Sequence, residues 1–218
     1  MIFTKERTMK AKWMKWGLLA VMSTSILTAC QNQPKNEADT VSGASIKTPR
    51  EIIKSPVKKT DFLLGTAVAL SVYHPNTEEV ITNALEMIKD LEKRITVNAS
   101  GSEVDEVNLA AGEKPVKVSA DVYELIKLGL KYSEEFDGAF DITVGPLTAL
   151  WHIGFDDAKK PTQEEIDAVL PLVNYKDVEL NDAEQTVFLK KKGMQLDLGG
   201  IAKGYIADKV WEYFAKEG

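Results

Sequence analysis

The stretch Leu196-Asp197-Leu198-Gly199-Gly200-Ile201-Ala202-Lys203-Gly204-Tyr205 joins an apolar run to two consecutive glycines and then to a helical pattern. Apolar side chains continue at helical spacing beyond it, at Ala207, Val210, Trp211 and Phe214. This spacing predicts a helix from Ile201 onward. Residues 194–198 predict a strand that enters the junction. The stretch therefore predicts a strand, a Gly-Gly turn and a helix, in that order.

Charged side chains stand on both sides of the two glycines. Asp197 precedes them, and Lys203 lies in the predicted first turn, where a lysine opposes the helix dipole unless an anion is bound. Backbone N–H groups at a helix start attract anions, and glycines let phosphates approach the main chain. These residues suggest a nucleotide-type ligand, with or without a metal ion. Spacing alone slightly favours an ordinary strand-to-helix turn with a surface lysine.

The N-terminus has the pattern of an export signal. Five basic residues precede an apolar run at residues 16–27, which is too short for a stable transmembrane helix. The run ends in Leu27-Thr28-Ala29-Cys30, which resembles a bacterial lipoprotein signal, and Cys30 is the only cysteine. Lipid attachment would account for this single thiol better than the alternative, an ordinary signal peptide with an incidental cysteine.

Charge and composition divide the chain into three parts. We expect a signal peptide at residues 1–29, the lipidated Cys30 with a polar tether over residues 30–60, and one folded domain at residues 61–218. The whole chain has a net charge of −6, and the part after residue 29 has −10 because residues 1–29 carry five basic residues and one acid. This acidic balance argues against a nucleic-acid partner.

Strand and helix patterns mix without a regular βαβ alternation, so the sequence predicts an α+β fold with mixed or antiparallel sheets and packed helices. We predict one strand over residues 62–73, a long loop over residues 96–115 and a hairpin around Asn181-Asp182. Helices are predicted at residues 77–95, from the N-cap Ser119 to about Glu135, and from a capping box at Thr162 to about Leu170.

A second segment, residues 137–147, combines acids, small residues and one aromatic ring. Asp137-Gly138-Ala139-Phe140-Asp141-Ile142-Thr143-Val144-Gly145-Pro146-Leu147 could form a slot for a flat ring, or a core-packing turn in which Phe140 is simply buried. Trp151 and His152 follow, and we leave His152 out of the site because a single histidine beside a tryptophan is more often structural. The acids Asp137, Asp141 and Asp197 suit Mg²⁺ better than a transition metal.

Together these segments resemble the ApbE family of FAD:protein FMN transferases. Asp197-Leu198-Gly199-Gly200-Ile201-Ala202-Lys203-Gly204-Tyr205-x-x-Asp208 is similar to the family signature, and residues 138–147 with Trp151 match a second family motif. Leu64-Gly65-Thr66 resembles the family's first strand, and residues 98–103 with Asn108 resemble a family loop. The resemblance runs from about residue 62 to residue 218 and implies an ApbE-like, T-fold-like architecture.

The resemblance implies an enzyme that splits FAD outside the cytoplasmic membrane with Mg²⁺. It would transfer the FMN half to a threonine or serine hydroxyl of a partner and release AMP. The partner implied is a flavin-accepting extracytoplasmic or membrane redox protein. The alternatives are an FAD-binding or FAD-hydrolysing lipoprotein without protein transfer, or an inactive truncated product. The Gly200 carbonyl would ligate Mg²⁺, and the residues that would bind FAD are Leu64, Asn98, Ala139, Phe140, Asp141, Asp197 and Lys203.

This chain is compared with the family pattern at Leu64, at Asn98 and at its far end. Leu64 replaces a methionine of similar volume. Asn98 takes a position that is aromatic or Asn in the family, and because an asparagine lacks the stacking surface of an aromatic ring, we expect it to favour hydrolysis. Family members continue well beyond this chain, with a histidine segment and an Asp-x-x-x-Thr pair that complete the site. We therefore expect a chain that carries about two thirds of the fold, is incomplete at its C-terminus and leaves sheet edges exposed. The residue that accepts the hydroxyl proton stays unassigned.

Overall fold

The computed structural model describes residues 51–218, so the predicted signal peptide, most of the tether and the predicted lipidation site Cys30 lie outside the described residues. Within this range the chain forms six α-helices and five β-strands. The strands are β1 (Val57–Leu63), β2 (Thr66–Val72), β3 (Val116–Lys117), β4 (Val178–Asn181) and β5 (Thr186–Leu189). The helices are α1 (Glu78–Ile95), α2 (Glu103–Leu109), α3 (Ala120–Glu135), α4 (Gly145–Trp151), α5 (Gln163–Val169) and α6 (Gly199–Glu217).

Three long helices, α1, α3 and α6, contact one another and supply much of the core. Each buries one apolar face, because its apolar residues recur every three or four positions. Fully buried side chains include Ile81 and Ile88 of α1 and Leu125 and Ile126 of α3, all at 2% exposure or less. The predicted helices α1 and α3 are confirmed, as is α5 with its complete capping box at Thr162.

A polar cluster ties α6 to α3 beside this core. The Tyr205 hydroxyl and the Lys209 ammonium donate hydrogen bonds to the same Glu124 oxygen, at 2.7 and 2.8 Å. The Lys209 contact, followed by that of Tyr205, holds the pKa of Glu124 below its usual value. Burial raises the pKa of Tyr205, and the bond to Glu124 adds to this effect. The cluster keeps a buried phenol hydrogen-bonded, which burial of a polar group requires.

The predicted single strand at residues 62–73 is wrong, because the chain reverses in its middle. β1 pairs antiparallel with β2, with Leu63 opposite Thr66. The two residues between them, Leu64 and Gly65, have φ of 55° and 66°, the left-handed values of a two-residue hairpin turn. β1 begins at Val57, so the domain boundary expected at residue 61 falls inside a strand.

The second sheet has three antiparallel strands in the order β3-β5-β4. The hairpin predicted around Asn181-Asp182 is confirmed as β4 and β5. With two small antiparallel sheets and packed helices, the α+β class is confirmed. No helix within residues 51–218 is long and apolar enough to cross a membrane.

The long loop predicted at residues 96–115 contains a helix. Ser102 caps α2 by accepting a hydrogen bond from the Asp105 N–H, at 2.9 Å. Val104 and Val107 are the buried residues of this helix, which is too few for its apolar spacing to be recognised in a polar stretch. α2 forms one wall of the site described next.

Candidate functional site

Residues 194–198 approach the site without forming the predicted strand. Their only ladder contact in the described part of the chain is a parallel bridge between Gln195 and Val144. On that side the Gly145 N–H donates to the Gln195 carbonyl at 3.2 Å, and the Asp197 N–H donates to the Ile142 carbonyl at 2.8 Å. A Cβ at Gly145 would lie 2.6 Å from the Gln195 carbonyl oxygen, so only glycine fits here. Segment 194–198 thus lies directly against the start of α4.

On the other side of segment 194–198, the Asn108 side chain forms hydrogen bonds of the kind that a neighbouring strand would form. The Asn108 amide on α2 donates to the Leu196 carbonyl at 3.1 Å and accepts from the Leu196 N–H at 2.7 Å. This pair of bonds reproduces what a neighbouring strand would offer. Leu196 is fully buried, so its backbone groups need these partners.

The Asp197 carboxylate is held at both oxygens. The Thr148 hydroxyl on α4 donates to Oδ2 at 2.8 Å, and the Gly199 N–H donates to Oδ1 at 2.9 Å. A carboxylate has about four acceptor positions, so these two bonds leave capacity for further donors. Asp197 is therefore fixed in orientation and still able to bind a ligand.

Helix α6 begins at Gly199, so the two glycines form its first turn and do not precede it as predicted. The Gly199 N–H is bound to Asp197, and the N–H groups of Ile201 and Ala202 both donate to the Leu198 carbonyl. Most first-turn donors therefore have acceptors already. The Lys203 ammonium, on an exposed residue one turn further along, is the stronger candidate for binding an anion.

Two adjoining pockets open along this segment. The larger has a volume of about 660 Å³, and the smaller has about 200 Å³. Val97, Asn98 and Asp197 line both pockets. The larger pocket extends toward α2 and α4, where Leu147, Trp151 and Phe155 give it apolar walls. The smaller pocket extends toward the β1–β2 turn and the start of α6. We call the two together the cleft.

The cleft brings together four of the eight predicted site residues in the described range. Leu64, Asn98, Asp197 and Lys203 all line the smaller pocket, although they come from three separate parts of the chain. Leu64 is held there because its N–H donates to the Glu92 carboxylate on α1 at 2.8 Å. Long sequence separation combined with one shared pocket is typical of a binding site.

The other four predicted residues, Ala139, Phe140, Asp141 and Gly200, are not among the residues that line either pocket. Phe140 packs against α6, where a Cβ on Gly200 would lie 3.1 Å from its ring. The two sequence segments singled out above therefore contact each other at this point. Their assignment to FAD stays a prediction.

Asp141 makes three hydrogen bonds within its own neighbourhood. Its Oδ1 accepts from the N–H and the hydroxyl of Thr143, at 2.8 and 2.7 Å, and its Oδ2 accepts from the Tyr175 N–H at 2.9 Å. The Thr143 hydroxyl in turn accepts from the Asn174 N–H. These bonds tie residues 141–143 to the 3₁₀ turn Tyr175–Asp177, which is a structural task.

The described residues do not by themselves form a magnesium shell. No group of three or more His, Cys, Asp or Glu side chains within residues 51–218 could hold a metal ion. The predicted ligand, the Gly200 carbonyl, lies in the first turn of α6, where carbonyls accept helical hydrogen bonds. Mg²⁺ normally takes several of its six ligands from water and substrate phosphates, so oxygens from outside these residues would have to complete its shell.

Sequence reasoning missed Thr148 and the role of Asn108. Thr148 lies one residue beyond the second segment, and nothing in its spacing signals a contact with Asp197. His152, which we left out of the site, lines the larger pocket. Its ring stacks on Phe155 with 4.0 Å between centroids, and its Nδ1 lies 2.6 Å from Asp157. Both of these contacts orient the ring at the pocket wall.

Comparison with known proteins gives consistent matches. The model of the ApbE family matches residues 64–218. The FAD:protein FMN transferase of Klebsiella pneumoniae is 40% identical over 155 residues, which are 71% of this chain and 49% of that protein. The FAD:protein FMN transferase of Treponema pallidum is 33% identical over 165 residues, covering 70% of this chain and 44% of that protein.

Solved structures agree with the sequence matches. The crystal structure of the ApbE protein from Thermotoga maritima superposes with a TM-score of 0.69 at 33% identity, covering 73% of this chain and 52% of that one. The flavin transferase ApbE from Vibrio cholerae gives a TM-score of 0.67 at 23% identity, covering 74% of this chain and 54% of that one, which supports the fold alone. The chain spans about half the length of the curated relatives it matches.

Proposed function

Because the chain belongs to the ApbE family, we propose that it binds FAD in the cleft and acts in the transfer of FMN from FAD to a protein. The oxygen of a threonine or serine hydroxyl would form a phosphoester with the FMN phosphorus while the pyrophosphate P–O bond breaks. AMP would leave with the bridging oxygen, and the hydroxyl proton would pass to solvent. The observation that carries the proposal is the convergence of Leu64, Asn98, Asp197 and Lys203 on one pocket. Relatives that carry the name FAD:protein FMN transferase support it.

The chemistry of the cleft suits a dinucleotide whose parts differ in charge. Lys203 offers a fixed cation to the pyrophosphate, and phosphoryl-type transfer depends chiefly on such charge stabilisation and on alignment. Asp197 would repel a phosphate, so its remaining acceptor positions suit an O–H or N–H donor of FAD or a bridging cation. The apolar walls of the larger pocket offer a surface for an aromatic ring system.

Mg²⁺ is the cation that we include in this proposal. When bound, it would supply charge neutralisation at the pyrophosphate. The residues that would contribute from this chain are Asp197 and the Gly200 carbonyl, and the pyrophosphate and water would have to supply further oxygens. FAD titrations with Mg²⁺ and with a chelator test this part, and equal FAD affinity in both conditions would contradict it.

Titration of the full chain with FAD is the first experiment. We expect saturable binding, and Lys203→Gln should weaken it about tenfold, with the difference shrinking at high salt because the lost term is electrostatic. Lys131→Gln is the matched control, since Lys131 is an exposed lysine on α3 that pairs with Glu135 and does not line the cleft. Equal effects of the two variants would contradict the role of Lys203.

Incubation with FAD, Mg²⁺ and an acceptor protein then separates transfer from its alternatives. Covalent flavin fluorescence on the denatured acceptor supports transfer. AMP release without labelling would indicate FAD hydrolysis, and FAD binding without AMP would indicate a binding protein. An active relative serves as the positive control, so that absence of labelling by this chain is meaningful.

We also propose that a lipid attached to Cys30 anchors the protein at the outer face of the cytoplasmic membrane. This anchoring is supported by the basic, apolar and small-residue order of residues 5–30. Cells that produce the full chain should retain it in the membrane fraction, and Cys30→Ser should release it. Retention of the variant at the level of the parent chain would contradict anchoring through this residue.

A further inference from the structure

We propose that Thr148 and Asn108 are positioning residues for Asp197, which set the direction in which its carboxylate meets the ligand. Thr148 acts on the carboxylate and Asn108 acts on the backbone that carries it. The inference rests on the proposed function in one respect, namely that Asp197 contacts FAD. Its structural part stands on contacts that are present without any ligand.

The contact of Thr148 fixes the carboxylate group itself. Its hydroxyl lies 2.8 Å from Asp197 Oδ2, while the Gly199 N–H lies 2.9 Å from Oδ1. Donors on both oxygens prevent the carboxylate from rotating freely about its last side-chain bond. Hydrogen bonds to a charged acceptor are also stronger than those between neutral groups. The Thr148 hydroxyl lies 3.1 Å from the Gly145 carbonyl as well, and the charged acceptor competes better for its single proton.

The contacts of Asn108 fix the main chain one residue before Asp197. The Asn108 amide bonds both the N–H and the carbonyl of Leu196, across 88 positions of sequence. Asp197 itself donates its N–H to Ile142 on the opposite side. The backbone is therefore held from both flanks, by α2 and by the residues that precede α4.

Together these contacts leave Asp197 little freedom at the point where the two pockets meet. A ligand then finds the acceptor positions already directed, and binding does not have to order the side chain. Without Thr148, the carboxylate can turn toward water and only the Gly199 contact opposes it. Thr148 itself lines the larger pocket, so a loss of affinity in its variants shows the positioning role only together with a freer Asp197 carboxylate.

The decisive experiment compares Thr148→Val with Thr148→Ser in the full chain. Valine keeps the shape and removes the hydroxyl, whereas serine keeps the hydroxyl. We expect Thr148→Val to weaken FAD binding about tenfold and Thr148→Ser to bind within about twofold of the parent chain. Thr60→Val is the matched control on an exposed position of β1 outside the cleft, and it should bind as the parent does.

Amide hydrogen exchange at Gly199 gives a second readout that needs no ligand. Its N–H donates to Asp197, so release of the carboxylate should make it exchange several-fold faster in Thr148→Val and not in Thr148→Ser. Exchange at Gly199 that is equal in all three chains would overturn the positioning role of Thr148. Equal FAD affinity of the valine and serine variants would overturn it as well.

The two readouts also separate this inference from the proposed function. If the parent chain fails to bind FAD, the proposed function fails, and Gly199 exchange still decides whether Thr148 holds the carboxylate. Asn108→Asp tests the second residue, since it keeps the acceptor for the Leu196 N–H and loses the donor to the Leu196 carbonyl. Because this variant should also have a lower melting temperature, exchange is measured where the protein is folded. Faster Gly199 exchange there supports the role of Asn108, and unchanged exchange overturns it.

Discussion

Asp141 and Asp197 lie in the two glycine-rich segments and differ in what their carboxylates are used for. Asp141 accepts three hydrogen bonds from Thr143 and Tyr175 and lines neither pocket. Asp197 accepts two, from Thr148 and Gly199, and lines both pockets. The same residue type in similar surroundings thus closes a turn in one segment and faces a cleft in the other. The two carboxylates therefore differ in remaining acceptor capacity and in access to the cleft, although their sequence contexts are similar.

The largest effect should come from removing the carboxylate that faces the cleft. We expect Asp197→Ala to lower FAD affinity by about 2–3 kcal/mol, roughly 30- to 150-fold, because a charged hydrogen-bond acceptor is lost. The melting temperature should change little, since Thr148 is exposed and can bond to water instead. Calorimetric FAD titration and thermal melting measure the two quantities. A variant that binds FAD normally would remove the contrast between the two acids.

Removing the Asp141 carboxylate should instead lower the stability of the fold. Asp141→Ala leaves the N–H groups of Thr143 and Tyr175 without their acceptor, so we expect a loss of about 2 kcal/mol in the free energy of unfolding. This corresponds to a melting temperature lower by about 4–8 °C. Asp208→Ala, at an exposed position of α6, is the control and should melt within about 1 °C of the parent. Equal melting of the two variants would contradict the structural task of Asp141.

The contact between Gly200 and Phe140, which joins the two glycine-rich segments, gives a test with a smaller expected change in stability. A Cβ at Gly200 would lie 3.1 Å from the Phe140 ring, whereas a Cβ at Gly204, one turn later in α6, has nothing within 4 Å. Gly204→Ala should therefore stabilise the helix by about 0.5–1 kcal/mol, and the melting temperature should rise by about 1–4 °C. Gly200→Ala should gain nothing, because Phe140 has to move. Equal gains at both positions would show that the ring yields freely.

Elements with a long apolar face could be predicted from the sequence. Helices α1, α3 and α5 are confirmed because their apolar spacing or capping residues are local signals. The β1–β2 turn was missed because Leu64 occupies a left-handed position that asparagine or aspartate usually takes. The α2 helix was missed because only two of its residues are buried.

The candidate site also contains parts that the sequence predicted and parts that only the structure shows. Resemblance to a family identified Leu64, Asn98, Asp197 and Lys203, and the structure places all four at one pocket. The contacts that hold Leu64 and the segment of Asp197, from Glu92, Thr148 and Asn108, join residues 28 to 88 positions apart. Single-sequence patterns carry no information about such pairs, since a threonine or asparagine in a helix has many possible partners. The structure was needed to find them.

The wall that the two pockets share has a thermodynamic consequence. Val97, Asn98 and Asp197 belong to both, so any occupant of one pocket that shifts these side chains changes the free energy of binding in the other. Such coupling is reciprocal, and each occupant alters the affinity of its neighbour by the same factor. Two groups that both move these side chains would therefore bind as coupled ligands, and the affinity of a molecule that fills both pockets would differ from the sum of its halves by that coupling free energy.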